Sequence, residues 1–131
     1  MATGKIMIVD DEQDVREAIK LQLIGKNFKI LEAGDGAQAI SIMKREDHMT
    51  NVGVILCDIR MPNVDGVECI DYLKANAPGI PIVVITAFPD AELATSLMKK
   101  GIKEYLVKPV NKEKLITVVD NLIAEGKDVG L

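Results

Sequence analysis

The 131-residue sequence predicts an α/β fold, a doubly wound five-stranded parallel sheet with strand order 2-1-3-4-5 and helices on both faces. Three observations predict it. Short apolar runs alternate with helix-length amphipathic segments from residue 5 to residue 125. Three of those runs are almost unbroken in hydrophobicity, as parallel strands covered on both faces must be. The intervening segments are long enough for right-handed crossovers between parallel neighbours.

KIMIVD at 5–10, VILCD at 54–58 and PIVVIT at 81–86 are the unbroken runs and are expected to be central strands. FKILEA at 28–33 and KEYLVK at 103–108 carry more polar residues, which suits the two edges of a sheet. Helices are expected at about 12–25, 36–46, 66–76, 90–100 and 112–125. In the last of these, Leu115, Val118, Val119, Leu122 and Ile123 repeat at the spacing of a helix packed on one side, with Gly126 placed to end it. Asp11 and Asp90 stand where helix N-caps belong, and Gly25, Gly79 and Gly101 punctuate segment ends. At this length the flavodoxin-like (βα)5 arrangement fits one domain over 1–131, with a core at about 5–125 and a short tail, GKDVGL, at 126–131.

Composition narrows the function classes. Apolar residues are 48% and charged residues 27% of the chain, the balance of an ordinary globular protein. A net charge of −4 supplies no basic field for a nucleic-acid backbone or an anionic membrane surface. No apolar run approaches the roughly 20 residues of a membrane span, and MATGKIMIVDD does not read as a signal peptide. Cys57 and Cys69 match no metal spacing and read as small buried apolar residues of a reduced, cytoplasmic protein.

Four of the five apolar runs end in polar residues: Asp10, Asp58, Thr86 and Lys108. In an open α/β sheet these positions meet at the carboxyl edge, where sites form beside the topological switch point. Asp11 directly follows Asp10, so three carboxylates converge and call for a hard divalent cation. Mg²⁺ fits better than Ca²⁺, because it accepts few protein ligands and keeps waters and phosphate oxygens. Lys108 offers a compact positive charge and Thr86 a hydroxyl to a phosphoryl group, and a carboxylate can attack phosphorus to form an aspartyl phosphate. Asp58 is the candidate nucleophile.

The acidic pair in IVDDE, the segment CDIRMPNVDG at 57–66, ITA at 85–87 and KEYLVKP at 103–109 together resemble the receiver domains of two-component response regulators, of the chemotaxis-regulator kind. The resemblance covers residues 5–125. It implies a signalling switch rather than a turnover enzyme, one that promotes its own phosphorylation and dephosphorylation. Asp58 takes a phosphoryl group from the phosphohistidine of a sensor histidine kinase or phosphotransfer protein. Mg²⁺, with Mn²⁺ as a substitute, is held by Asp10, Asp11, Asp58 and the main-chain carbonyl of Arg60. Lys108 contacts the phosphate, Thr86 moves toward it, and Tyr105 is the aromatic switch residue. The Lys108–Pro109 bond is expected to be cis, and Arg60 and Phe88 to tune phosphate lifetime. The output is a changed surface on helix 4, strand 5 and helix 5 that controls a downstream protein or output domain, with phosphorylation-dependent dimerisation as one outcome. The segment after residue 125 is too short for an output domain, so a stand-alone regulator or part of a longer one is expected.

Taken singly, the same residues have plainer readings: Asp10 and Asp11 as caps, Asp58 as a strand end, Lys108 as a solvated charge. Matched chemistry at four strand ends favours the site. A flavin-binding module would share the fold, but DDEQD after strand 1 would repel its phosphate. A haloacid-dehalogenase-like phosphatase would use similar residues in a different chain order, with the nucleophile first in a DxD pattern. His48, in KREDHMTN, reads as a solvated loop residue. The six methionines read as core filling, Met61 and Pro62 as shaping the loop after Asp58, and Gly66 as serving the turn into the third helix.

Overall fold

The structure, a computed structural model, describes residues 4–45, 51–59 and 66–129. Arg60, Met61, Pro62 and His48 lie outside the described residues. Its elements run β1 (Lys5–Val9), α1 (Gln13–Gln22), β2 (Lys29–Ala33), α2 (Gly36–Met43), β3 (Val54–Cys57), α3 (Gly66–Asn76), β4 (Ile82–Thr86), α4 (Ala91–Lys99), β5 (Glu104–Val107) and α5 (Lys112–Val129). All paired strands are parallel and their order is β2-β1-β3-β4-β5, as the sequence predicts. The two polar-punctuated runs are the edges.

Strand alternation divides the apolar residues between two layers. Ile6, Ile8, Val54, Leu56, Val83, Ile85 and Leu106 face α1 and α5, where they pack against Ile19, Leu23, Leu115, Val119 and Ile123. Met7, Val9, Ile55, Cys57, Ile82 and Val84 face the other way, against Met43 of α2, Ile70 and Leu73 of α3 and Leu97 of α4. The central strands are buried along their length because both faces are covered. Each large side chain so enclosed contributes about 1.5–3 kcal/mol relative to exposure.

Helix ends differ from expectation in several places, and α2 ends at Met43 rather than near residue 46. Helix α1 stops at Gln22, three residues early, and the chain turns through Gly25 at φ +86° and Asn27 at φ +63°. Its N-cap is Glu12 rather than Asp11, and no side chain caps it; instead the Glu12 amide donates to Asp10 Oδ1 at 2.9 Å. Helix α5 runs through Gly126 to Val129 rather than ending there, because its backbone stays helical and glycine only weakens a helix without breaking it. Asp90 is the N-cap of α4, accepting from the Leu93 amide at 2.9 Å. Asp35 does the same for α2 with the Gln38 amide at 2.8 Å.

Candidate functional site

Parallel pairing continues one residue past the strands and brings the polar residues into line. The Asp10 amide donates to the Ala33 carbonyl at 3.0 Å, the Asp58 amide to Val9 at 2.9 Å and the Lys108 amide to Thr86 at 2.7 Å. Asp10, Asp58 and Lys108 keep the alternation of Ile8, Leu56 and Leu106, so they rise on the α1/α5 side of the sheet. Thr86 keeps the alternation of Val84 and rises on the opposite side, where Tyr105 also packs. Among the described residues the buried polar ones are Asp10, Asp58 and Thr86.

Lys108 joins the carboxylates. Its Nζ donates to Asp10 Oδ2 at 2.7 Å and to Asp58 Oδ2 at 3.3 Å. Burial alone lowers the affinity of this amine for its proton, but the hydrogen bond and charge of Asp10, with those of Asp58, outweigh it and raise the ammonium above the ordinary lysine value of 10.5. The cation therefore stays charged over the working range of any phosphoryl chemistry. The bond from Lys108 to Pro109 is cis.

Asp10, Asp11 and Glu12 place one carboxylate oxygen each within 4.8 Å of the others. Asp10 is enclosed, while Asp11 and Glu12 face solvent. An all-oxygen set of this kind, open on one side, fits a hard divalent cation that keeps part of its water shell. Asp58 stands outside this tight group and is linked to it by Lys108. Glu12 was not among the expected ligands, although it completes the run DDE. Arg16 was also missed. Its Nη1 donates to the main-chain oxygen of Asp10 and its Nε to Glu32 Oε1 at 3.1 Å.

On the other side of Asp58 the Phe88 backbone links the two expected switch residues. The Phe88 amide donates to Thr86 Oγ1 at 3.2 Å, and Tyr105 donates its hydroxyl hydrogen to the Phe88 carbonyl at 3.0 Å. The Phe88 ring itself is 47% exposed, outside the core.

Two further features support the edge. Gly66, the first residue of α3, packs directly on the end of β3: a Cβ there would collide with the Ile59 Cα and the Asp58 carbonyl. Only glycine permits that approach. Cys57 and Cys69 are both free and buried, and Cys57 donates to the Asp58 carbonyl at 3.2 Å. A hydrogen bond with Cys69, then burial, holds the Cys57 thiol well above its ordinary range, which marks it as inert. A concavity of about 680 Å³ between α1 and the β2 edge is lined by Lys20, Leu21, Phe28 and Glu32 and by neither buried carboxylate. A groove of about 400 Å³ lined by Ile19, Gln22, Pro109 and Val110 borders Lys108.

This constellation has a family. The response regulator receiver domain pattern matches residues 6–120, and the chain belongs to that family, the receiver domains of two-component signalling. The transcriptional regulatory protein ZraR of Salmonella typhimurium is 30% identical across 99% of this chain, and YesN of Bacillus subtilis is 32% identical across 94%. The chain spans 29% and 33% of those two relatives' lengths. A receiver domain from Clostridium thermocellum superposes with a TM-score of 0.87 at 27% identity, covering 95% of this chain and 98% of that one. A chain of the CheX–CheY–BeF₃–Mg²⁺ complex from Borrelia burgdorferi matches at TM-score 0.83 and 26% identity, with 90% of this chain and 87% of that one covered. No helix among the described residues is long and apolar enough to cross a membrane.

Proposed function

We propose that this chain is a phosphoacceptor switch in which Asp58 accepts a phosphoryl group from a phosphohistidine and the change is passed to the face of α4, β5 and α5. The observation that carries the proposal is the bridge of Lys108 between Asp10 and Asp58 at the carboxyl edge of the sheet. A surface charge has no reason to be threaded between two buried carboxylates, whereas a phosphoryl-transfer site needs a fixed cation there.

An oxygen of Asp58 attacks phosphorus, the bond from phosphorus to the donor histidine nitrogen breaks, and the imidazole leaves with that electron pair. Lys108, fixed by Asp10, stays beside Asp58 and contacts an oxygen of the transferred group. Thr86 lies buried at the end of β4 and turns its hydroxyl toward the same group, giving up the Phe88 amide. Asp10 and Asp11, with Asp58 and the Arg60 carbonyl, are the proposed holders of Mg²⁺ or Mn²⁺, and Glu12 adds a carboxylate to the same group. When bound, the ion neutralises phosphoryl charge and orients its oxygens. The Borrelia relative, whose complex contains BeF₃ and Mg²⁺, supports this reading. Phe88 and Arg60 are the proposed determinants of phosphate lifetime.

The partners that follow are a sensor kinase or phosphotransfer protein on the donor side and a downstream protein or output domain on the other, all in the cytoplasm. The curated relatives, transcriptional regulators longer than this chain, favour an output domain as the controlled element. Incubation with phosphoramidate and Mg²⁺ is expected to add one acid-stable, base-labile phosphoryl group, lost in Asp58→Asn. Equal labelling of the Asn variant, read by intact mass, would overturn the assignment.

A further inference from the structure

We infer that Arg16 is a positioning residue, which fixes the peptide plane between Asp10 and Asp11 and so sets the geometry of the acidic turn that meets the cation. The inference rests on the proposed Mg²⁺-dependent function of that turn.

The geometry is specific to one side chain. The carbonyl that Arg16 grips belongs to Asp10, so the bond fixes the orientation of the peptide leading into Asp11. From the other side the Asp10 carboxylate holds the Glu12 amide, and the Ala33 carbonyl holds the Asp10 amide. Three hydrogen bonds, one from α1, one from β2 and one within the turn itself, therefore lock it. Arg16 is itself held: its Nε donates to Glu32 on β2, and its side chain is only 17% exposed. Glu32 is in turn held by Lys20 at 3.0 Å, which binds Glu17 at 2.9 Å. Lys20 first, and Arg16 after it, keep the Glu32 carboxyl below its ordinary range, so the anchor stays ionised.

A lone positive charge beside a cation site would oppose cation binding. The Glu32 pairing offsets that charge and leaves Arg16 its second function, as a planar fork whose two nitrogens serve two different partners. Lysine is a poor substitute, since its single ammonium lacks the two spaced nitrogens with which the guanidinium reaches Asp10 and Glu32 at once. Outer groups that orient metal-ligating carboxylates act in this way, and their loss commonly weakens metal affinity about 10-fold or more.

The test is a calorimetric titration of the full chain with MgCl₂, in wild type, Arg16→Lys and Arg16→Ala, alongside the metal-free amide resonances of Asp11 and Glu12. Positioning predicts that both variants bind Mg²⁺ about 10-fold more weakly. It also predicts that the Asp11 amide moves in metal-free Arg16→Lys. The alanine result is counterintuitive for a charge effect, since removing a cation alone should tighten binding. Wild-type affinity and an unmoved Asp11 amide in Arg16→Lys, or tighter binding by Arg16→Ala, would overturn the inference while leaving the phosphoacceptor reading intact. Should either variant unfold, Glu32→Leu replaces it: it removes the acceptor that holds the Arg16 Nε while retaining Arg16 and the acidic turn, and an unmoved Asp11 amide there overturns the inference equally. Absence of Mg²⁺ binding and of labelling in the wild type would bring down the reading of the site and this inference with it.

Discussion

Lys108 shows what a single residue contributes and how its protonation couples to folding. Its folded-state proton affinity is raised, so the stability it contributes is fully present below the ordinary lysine value of 10.5 and is lost as pH rises through the higher folded value. In metal-free buffer the melting temperature of wild type should exceed that of Lys108→Met near neutrality, and the gap should narrow only above pH 10.5. A gap that is the same at pH 8 and pH 11.5 would show that the ammonium contributes packing rather than charge. The residue was legible in the sequence because it ends an apolar run. Arg16 was not, for it sits inside a helix and reaches back across a turn. Nothing in helical spacing announces a side chain that bonds to the carbonyl six residues earlier. Glu12 was hidden differently, since it reads as a helix-starting acid and the structure sets it beside Asp10 and Asp11.

At the scale of elements, the contact between α3 and the end of β3 is the most sensitive joint. Gly66→Ala places a methyl into the Ile59 and Asp58 backbone, which cannot yield as a side chain can. Such overpacking should cost about 1–3 kcal/mol or more and should slow phosphorylation of Asp58 along with it. Gly79→Ala is the control, because a Cβ there meets nothing within 4 Å. Its melting temperature should stay level or rise, through reduced freedom of the unfolded chain. Equal effects in chemical denaturation would mean that the close approach at Gly66 has no energetic weight. Strand identity and order were readable because burial on both faces leaves apolar runs that no surface element carries. Helix ends were less readable. The stop of α1 at Gln22 depends on Gly25 and Asn27 turning left-handed, while Leu23 still packs inward and prolongs the apolar pattern beyond the helix. At α5 the opposite error arises, since Gly126 resembles a stop but the helix passes through it.

For the whole molecule, the sheet divides the candidate site residues between its two faces. Asp10, Asp58 and Lys108, the proposed cation and nucleophile residues, rise over α1 and α5, while Thr86 and Tyr105 rise over the layer that contains α4. The Phe88 backbone spans the latter pair, accepting from Tyr105 and donating to Thr86. A phosphoryl group on Asp58 brings about −1.5 to −2 charges and strong acceptor oxygens to this edge. If Thr86 turns its hydroxyl to them, the Phe88 amide loses its partner, and the loop into α4 has to rearrange together with the Tyr105 hydroxyl that is bonded to it. Such a rearrangement would make the loop a two-state element biased by a local charge, the kind of physical link that coupling across a domain requires. Beryllofluoride with Mg²⁺, standing in for the phosphoryl group, should therefore shift amide resonances across residues 88–125 as well as around Asp58. In Thr86→Ala the shifts near Asp58 should persist while those at Phe88, Tyr105 and α4 shrink. Perturbation confined to the turns around Asp10, Asp58 and Lys108 in the wild type would leave a phosphate-binding site without a switch, and undiminished distant shifts in Thr86→Ala would route the change through some other contact.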